Sequence, residues 1–199
     1  MSTVISRSAC TILVLSACQT PGAEIAQAFA ETGAHVIVMG GDAQGLRQIA
    51  AASPERIEPL FVKGGQVEAL RVLVDAWGAE PLDLVVNLMP LAYPHHITEQ
   101  MRGLSMIMRT FGHGLVAGKG SLVSVVARPD DPLALVEQGL CGALGAAGAA
   151  LGDAVASKSM RVHTVTVPKQ KPERAVDTLL FLVGAQARRI KSTTFDLTQ

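Results

Sequence analysis

Short, almost uninterrupted apolar runs recur along the chain, each followed by a longer stretch in which apolar residues return every three or four positions. The first pattern is that of a strand buried on both faces and the second that of an amphipathic helix, so their alternation predicts a parallel sheet covered on both sides. Strands are expected at 11–15, 35–39, 59–62, 84–86, 121–125, 162–167 and 195–197. Helices are expected at 22–32, 45–52, 67–77, 98–112, 140–155 and 173–183. Gly33 stands where the first helix must stop, because glycine accepts the left-handed conformation of a helix end. No repeat or break in composition interrupts the alternation, and residues 1–199 read as one doubly wound α/β domain with a mostly parallel, seven-stranded sheet.

Two of these helices carry more than a core face. Ile97, Met101, Leu104, Met108, Phe111 and Leu115 keep helical spacing, and the methionines read as adaptable packing. The 140–155 helix accumulates Gly142, Gly145, Ala146, Ala149 and Gly152. Each glycine weakens a helix by about 1 kcal/mol relative to alanine, so their number implies close backbone approach to the sheet or to a partner helix.

Charge narrows the choice of partner. Lysine plus arginine equal aspartate plus glutamate at 17 each, which gives no net field toward nucleic acid or a membrane surface. Cys10, Cys18 and Cys141 are odd in number and lie in apolar sequence, as buried free thiols of a reducing, cytoplasmic compartment would. Arg7 before an apolar run ending Leu15-Ser16-Ala17-Cys18 resembles a lipoprotein cleavage site, but the same residues are needed as the first strand. No apolar stretch is expected to span a bilayer.

Other polar residues have ordinary readings. His95 and His96 suit a solvated loop and no metal site is expected, while Asp42 is placed to cap a helix starting near Ala43. His113, Arg188 and Arg189 suit helix carboxyl ends, Asp130 and Asp131 an exposed turn, and Trp77 the core.

The residues 11–15, then Gly22 to Ala30, then 33–39, resemble the opening strand-helix-strand unit of short-chain dehydrogenases/reductases, a Rossmann-like family. Asp83-Leu-Val-Val-Asn87, Gly120-Ser-Leu-Val-Ser124 and Met160-Arg-Val-His-Thr-Val-Thr166 resemble its fourth, fifth and sixth strands, and 172–182 with 193–197 its closing helix and strand. The resemblance implies a T-G-x-x-x-G-x-G phosphate loop. Here Leu15, Ser16, Thr20 and Gly22 fill those places, so two of the three glycines are replaced. Of the family's N-N-A-G loop only Asn87 remains, in Asn87-Leu88-Met89-Pro90, where it is expected to tie strand ends together.

The catalytic set implied by the resemblance is also absent. Tyr93 is the only tyrosine, and Ile97 stands where a lysine would complete Y-x-x-x-K. Matching backward from the sixth strand puts Glu137 and Cys141 in the tyrosine and lysine places, whereas matching forward from the fifth puts Leu140 and Leu144 there. The serine place falls on or near Ala127, with Ser124 close by, and the sole asparagine is Asn87. The family's lid after the sixth strand is reduced to Lys169-Gln170-Lys171. These losses imply a non-catalytic subunit without a cofactor, working as a homo-oligomer or beside an active paralogue of the family. The expected interface is Met101, Leu104, Met108 and the Gly142 to Gly152 face. The alternatives are an NAD(P)-dependent oxidoreductase with a relocated group such as Glu137 or Cys141, and a small-ligand sensor.

Overall fold

All seven strands pair in parallel in a computed structural model that describes residues 10–63 and 66–198, and Arg7 lies outside them. The strands are β1 (Thr11–Leu15), β2 (His35–Gly40), β3 (Ile57–Phe61), β4 (Leu84–Asn87), β5 (Ser121–Arg128), β6 (Arg161–Pro168) and β7 (Thr194–Asp196), in the order β3-β2-β1-β4-β5-β6-β7. The order reverses between β1 and β4, which is where a doubly wound sheet opens a crevice beyond the carboxyl ends of its strands. Leu15, Met39, Asn87 and Ser124 lie in one row across that end. β5 and β6 continue past this row as a pair, as far as Arg128 opposite Pro168.

The helices are α1 (Gly22–Glu31), α2 (Ala43–Ala51), α3 (Gln66–Trp77), α4 (Met89–Ala92), α5 (Ile97–Gly118), α6 (Leu135–Val155) and α7 (Ala175–Val183). Because strand side chains alternate between faces, Ile12, Val14, Val36 and Val86 pack with Ile25, Phe29, Leu46 and Leu179 on one side. Leu13, Leu15, Val85 and Leu122 pack with Leu70, Ile107, Phe111 and Leu144 on the other. Fully burying one such side chain contributes about 2 kcal/mol, and both layers hold side chains with no exposed surface.

Local chemistry fixes the element ends. Gly33 takes φ +86 just beyond α1, as a carboxyl-terminal glycine does. The Asp42 carboxylate accepts the Gln44 amide at 3.0 Å and caps α2. Asp131 accepts the Leu133 amide at 2.8 Å in a turn. Trp77 is half-buried, with its ring edge-on to Phe111 at 5.0 Å between centroids.

Several expectations are corrected. α5 runs on to Gly118, so His113 lies within it and not at its end. The helix continues because Gly114 and Gly118 seat it against residues 80–82. A Cβ on Gly118 would stand 2.2 Å from the Leu82 carbonyl oxygen. Cys18 is exposed rather than buried, and Leu104 is a core residue of its own subunit at 3% exposure. α6 begins at Leu135, and with the turn that follows it forms a helix to Lys158 that is long and apolar enough by composition to cross a membrane. Here it lies along the sheet, with Leu140 and Leu144 in the core. Its glycines divide by direction: a Cβ on Gly148 or Gly152 would meet Thr164 or Ser192, whereas Gly142 has open space.

Candidate functional site

The crevice is built from two unlike parts, the β1–α1 turn and the β5–α6 corner. In the turn, Ser16 occupies the first glycine's place and adopts φ +58, the left-handed conformation that glycine takes at least cost. Gly22 fills the third place and brings α1 onto the turn, so that a Cβ there would lie 2.0 Å from the Ala17 carbonyl oxygen. Between them stand the exposed Thr20 side chain and Pro21, which has no N–H to offer a ligand. The Gly22 amide is spent on the Gln19 carbonyl at 2.6 Å. No side chain caps α1, which leaves the following first-turn amides to solvent or to an anion. Glu24 stands in the same turn.

The interior of the crevice is closed. Leu15, Ser16, Met39, Gly40, Val62, Leu70 and Met89 surround a void of only about 10 Å³. Outside it, a groove of about 480 Å³ runs over Cys18, Gln19, Thr20, Glu24, Asp42 and Gly45. A nucleotide at this end therefore meets the rim, where the turn and the helix seat are those a phosphate loop needs, although Pro21 removes one donor.

Asn87 is buried in the row of strand ends. Its Nδ2 donates to Ser124 Oγ at 3.2 Å, and its Oδ1 accepts the Met89 amide at 3.1 Å, which starts α4. The expected tie between strand ends is therefore present, and Ser124 is committed to it. The Gln100 amide of α5 holds α4 from the other side through the carbonyls of Met89 and Tyr93, at 3.2 and 3.3 Å.

At the β5–α6 corner the structure separates the two ways of matching α6. Leu140 and Leu144 face the core at 1% exposure each, whereas Cys141 reaches the end of β5 and its Sγ lies 3.4 Å from the Ala127 carbonyl oxygen. Glu137, one turn earlier, is 7% exposed, and its Oε1 accepts from Lys169 Nζ at 3.0 Å with His95 Nε2 at 3.7 Å. Glu137 and Cys141, one of the two pairs that the resemblance allows in the tyrosine and lysine places, thus lie together near the ends of β5 and β6. Burial is the main cause raising the Cys141 pKa above that of an ordinary thiol, which disfavours a nucleophilic thiolate.

Lys169 and His95 escaped sequence reasoning. One belongs to the shortened connection after β6 and the other to the loop before α5, and only the fold brings them to Glu137. The connection from Pro168 to the 3-10 turn at Pro172–Arg174 is short, and Lys169 fastens it to α6. Arg128 was missed as well: its Nη1 donates to Asp196 Oδ2 at 2.8 Å and to Thr198 Oγ1 at 3.0 Å. Hydrogen bonding from Thr198 leads the effects that hold the Asp196 carboxyl below the usual range. His96 pairs with Glu99 at 3.0 Å and stacks on Tyr93. Among the described residues no group of His, Cys, Asp and Glu is arranged to hold a metal ion.

No protein-family model and no curated protein sequence matches the chain. Solved structures do. An oxidoreductase of the short-chain dehydrogenase/reductase family from Burkholderia thailandensis superposes with a TM-score of 0.77 at 14% identity, over 96% of this chain and 92% of its own. A 3-ketoacyl-(acyl-carrier-protein) reductase from Brucella melitensis complexed with NADH gives 0.73 at 16% identity, over 94% and 96%. An actinorhodin polyketide ketoreductase with NADPH gives 0.75 at 16% identity, over 96% of both chains. The chain has the short-chain dehydrogenase/reductase fold. The expectation that it takes no cofactor is overturned by these comparisons, since structures of the same fold hold NADH and NADPH. The loss of two glycines was a poor reason for that expectation, because Ser16 itself adopts a left-handed φ of +58, a conformation glycine takes readily.

Proposed function

We propose that this chain is a cytoplasmic subunit that holds a nicotinamide nucleotide at the crevice rim, does not carry out the proton-coupled hydride transfer of short-chain dehydrogenases/reductases, and works by assembling with a second copy of itself. One observation carries the non-catalytic part. Where that chemistry needs a serine, a tyrosine and a lysine around a carbonyl, this corner presents the methyl group of Ala127, a buried Glu137 clasped by Lys169, and the Cys141 thiol. General acid catalysis requires a donor aimed at the substrate oxygen. The Glu137 carboxylate instead anchors the connection after β6 to α6.

For the nucleotide, the residues that fit are Ser16 and Gly22, which keep the turn and the helix seat, with the first-turn amides of α1 facing the phosphates. When bound, such a group supplies hydride chemistry elsewhere in this fold. Here the chain's own residues only bind and orient it.

Assembly is supported by the outer face of α6. Leu135, Gly139, Gly142, Ala146 and Ala149 are exposed and recur at alternating spacings of four and three, the pattern of a helix–helix seam. Small side chains there let a second helix approach closely. This revises the expected interface, since Leu104, Gly148 and Gly152 turn inward.

The test joins three measurements on the purified chain: sedimentation, titration with NADH and NADPH, and turnover of carbonyl substrates. A dimer dissociated by Ala149→Leu, saturable nucleotide binding and no turnover are expected. Turnover lost on Glu137→Gln makes the chain an enzyme with a relocated acid, and a stable monomer removes the assembly.

A further inference from the structure

The amino-terminal ends of β5 and β6 lie at the edge of the sheet opposite the crevice. There Lys119, Arg161, Arg188, Arg189 and Lys191 line one pocket of about 540 Å³. In a chain whose charges balance at 17 of each sign, five cations around one cavity, with Asp153 as the acidic residue in its lining, are a local excess. The salt bridges of the described residues lie elsewhere, so these cations keep their charge uncompensated by carboxylate contact.

Helix dipoles explain only part of this arrangement. Lys119 ends α5 with φ +52 and suits the negative pole of that helix. Arg188 and Arg189 close only the short 3-10 helix Ala185–Arg189, and Lys191 lies beyond it, well past the end of α7 at Val183.

Arg161 is the fixed element of the pocket. Its Nη1 and Nη2 donate to the carbonyls of Ala187 and Lys119 at 3.4 and 3.1 Å, which sets the plane of the guanidinium. Its Nε is buried and finds no acceptor among the described residues. That nitrogen has no exposed surface, so a ligand in the cavity would meet the exposed part of the half-buried Arg161 side chain and not the Nε, and charge-assisted hydrogen bonds to an anion would form there. Burial and the nearby Arg188 both lower the Arg161 pKa, the direction expected where positive charges crowd without a counterion.

We propose that this pocket is an anion site that binds the phosphate of a small phosphorylated ligand, with the half-buried Arg161 held at its base and Arg188, Arg189, Lys191 and Lys119 around it. The volume falls within the roughly 300–1,000 Å³ typical of small-molecule sites, and arginine's planar donors match phosphate oxygens. The site is independent of the crevice reading.

Calorimetric titration of the whole chain with inorganic pyrophosphate tests it. The expected result is one saturable submillimolar site, weakened at least about tenfold by combined Arg188→Glu and Lys191→Glu and unchanged by Thr20→Asp at the crevice rim. All three substituted residues are exposed, so an unchanged thermal midpoint is expected for both variants. The proposal is overturned by an absence of binding below about 10 mM, or by binding that survives the double variant. Capture on phosphatidylserine vesicles that pyrophosphate fails to displace also overturns it, since the patch would then be a membrane contact.

Discussion

The β1–α1 turn and the β5–α6 corner face each other across the same crevice, yet they have departed from the resembled family in opposite ways. At the turn the residues differ and the shape remains: Ser16 stands at φ +58 and Gly22 sits against the Ala17 carbonyl. At the corner the backbone also remains, with β5, β6 and α6 in place, but the side chains there are Ala127, Glu137 and Cys141. A backbone conformation is imposed by everything packed around it, so it survives replacement of a single residue. Proton transfer belongs to particular atoms and is lost when they are. On the proposed reading, the crevice keeps a cofactor's cradle without the chemistry beside it.

The strongest way to break this comparison is at Gly22. A methyl group there would stand 2.0 Å from a backbone oxygen, which has no flexible end to move aside. Gly22→Ala should destabilise the chain by about 3 kcal/mol or more, lowering the thermal midpoint by roughly 10 °C, because α1 must lift from the turn. Thermal unfolding followed by circular dichroism measures it. A loss below about 1 kcal/mol would mean that packing does not hold the turn in shape.

In β6 the largest effect should come from pH. His163 in β6 is 1% exposed, its Nδ1 accepts the Thr193 amide at 3.3 Å, and its Nε2 has no partner among the described residues. Burial, followed by Arg161, lowers its pKa to about 4 from an ordinary 6.5. Because the folded pKa lies below the unfolded one, the unfolded chain binds the extra proton between them. This stability is complete above about pH 6.5 and is lost as the pH falls toward 4, amounting to roughly 3 kcal/mol between pH 7 and pH 4. Urea unfolding across that range should show the slope, and His163→Leu should flatten it. An unchanged slope in the variant assigns the acid sensitivity to other groups.

Most of the fold was legible because its strands are continuous apolar runs between helical stretches. The expected 11–15 matches β1, and the expected 84–86 falls one residue short of β4. Errors gathered where glycine and proline were read as breaks. α4 carries Pro90 within a helix of four residues, too short to show a period, and α5 runs on past Gly112 because Gly114 and Gly118 seat it on the segment that leads into β4. The site was legible where a residue acts on its sequence neighbours, as Asn87 does on Met89 and Asp42 on Gln44. It was not legible where partners meet only after folding, as with Lys169 and Glu137, 32 residues apart. The conformation of Ser16 was hidden for the opposite reason: no residue type announces a left-handed turn that its surroundings enforce.

Asn87 joins the two sides of the comparison, so its loss should be felt at both. Asn87→Ala leaves the buried Ser124 hydroxyl and the Met89 amide without partners, and should cost about 2 kcal/mol. Hydrogen exchange should show α4 opening before the β4–β5 pairs. If the strands open first, the Asn87 side chain does not secure the start of α4.

The smallest effect is expected at Ser16, and it bears most directly on the difference between the two regions. A residue with a Cβ in the left-handed region costs roughly 1 kcal/mol more than glycine, so Ser16→Gly relieves that cost. It also frees the unfolded chain by a comparable amount and removes a buried hydroxyl, so the gains and losses nearly cancel. Stability in urea should therefore change by no more than about 0.5 kcal/mol. A loss above about 2 kcal/mol would show that the serine hydroxyl itself, and not the packing around it, holds the turn. In that case the turn would depend on particular side-chain atoms as the corner does, and the contrast between a shape that survives substitution and a chemistry that does not would fail.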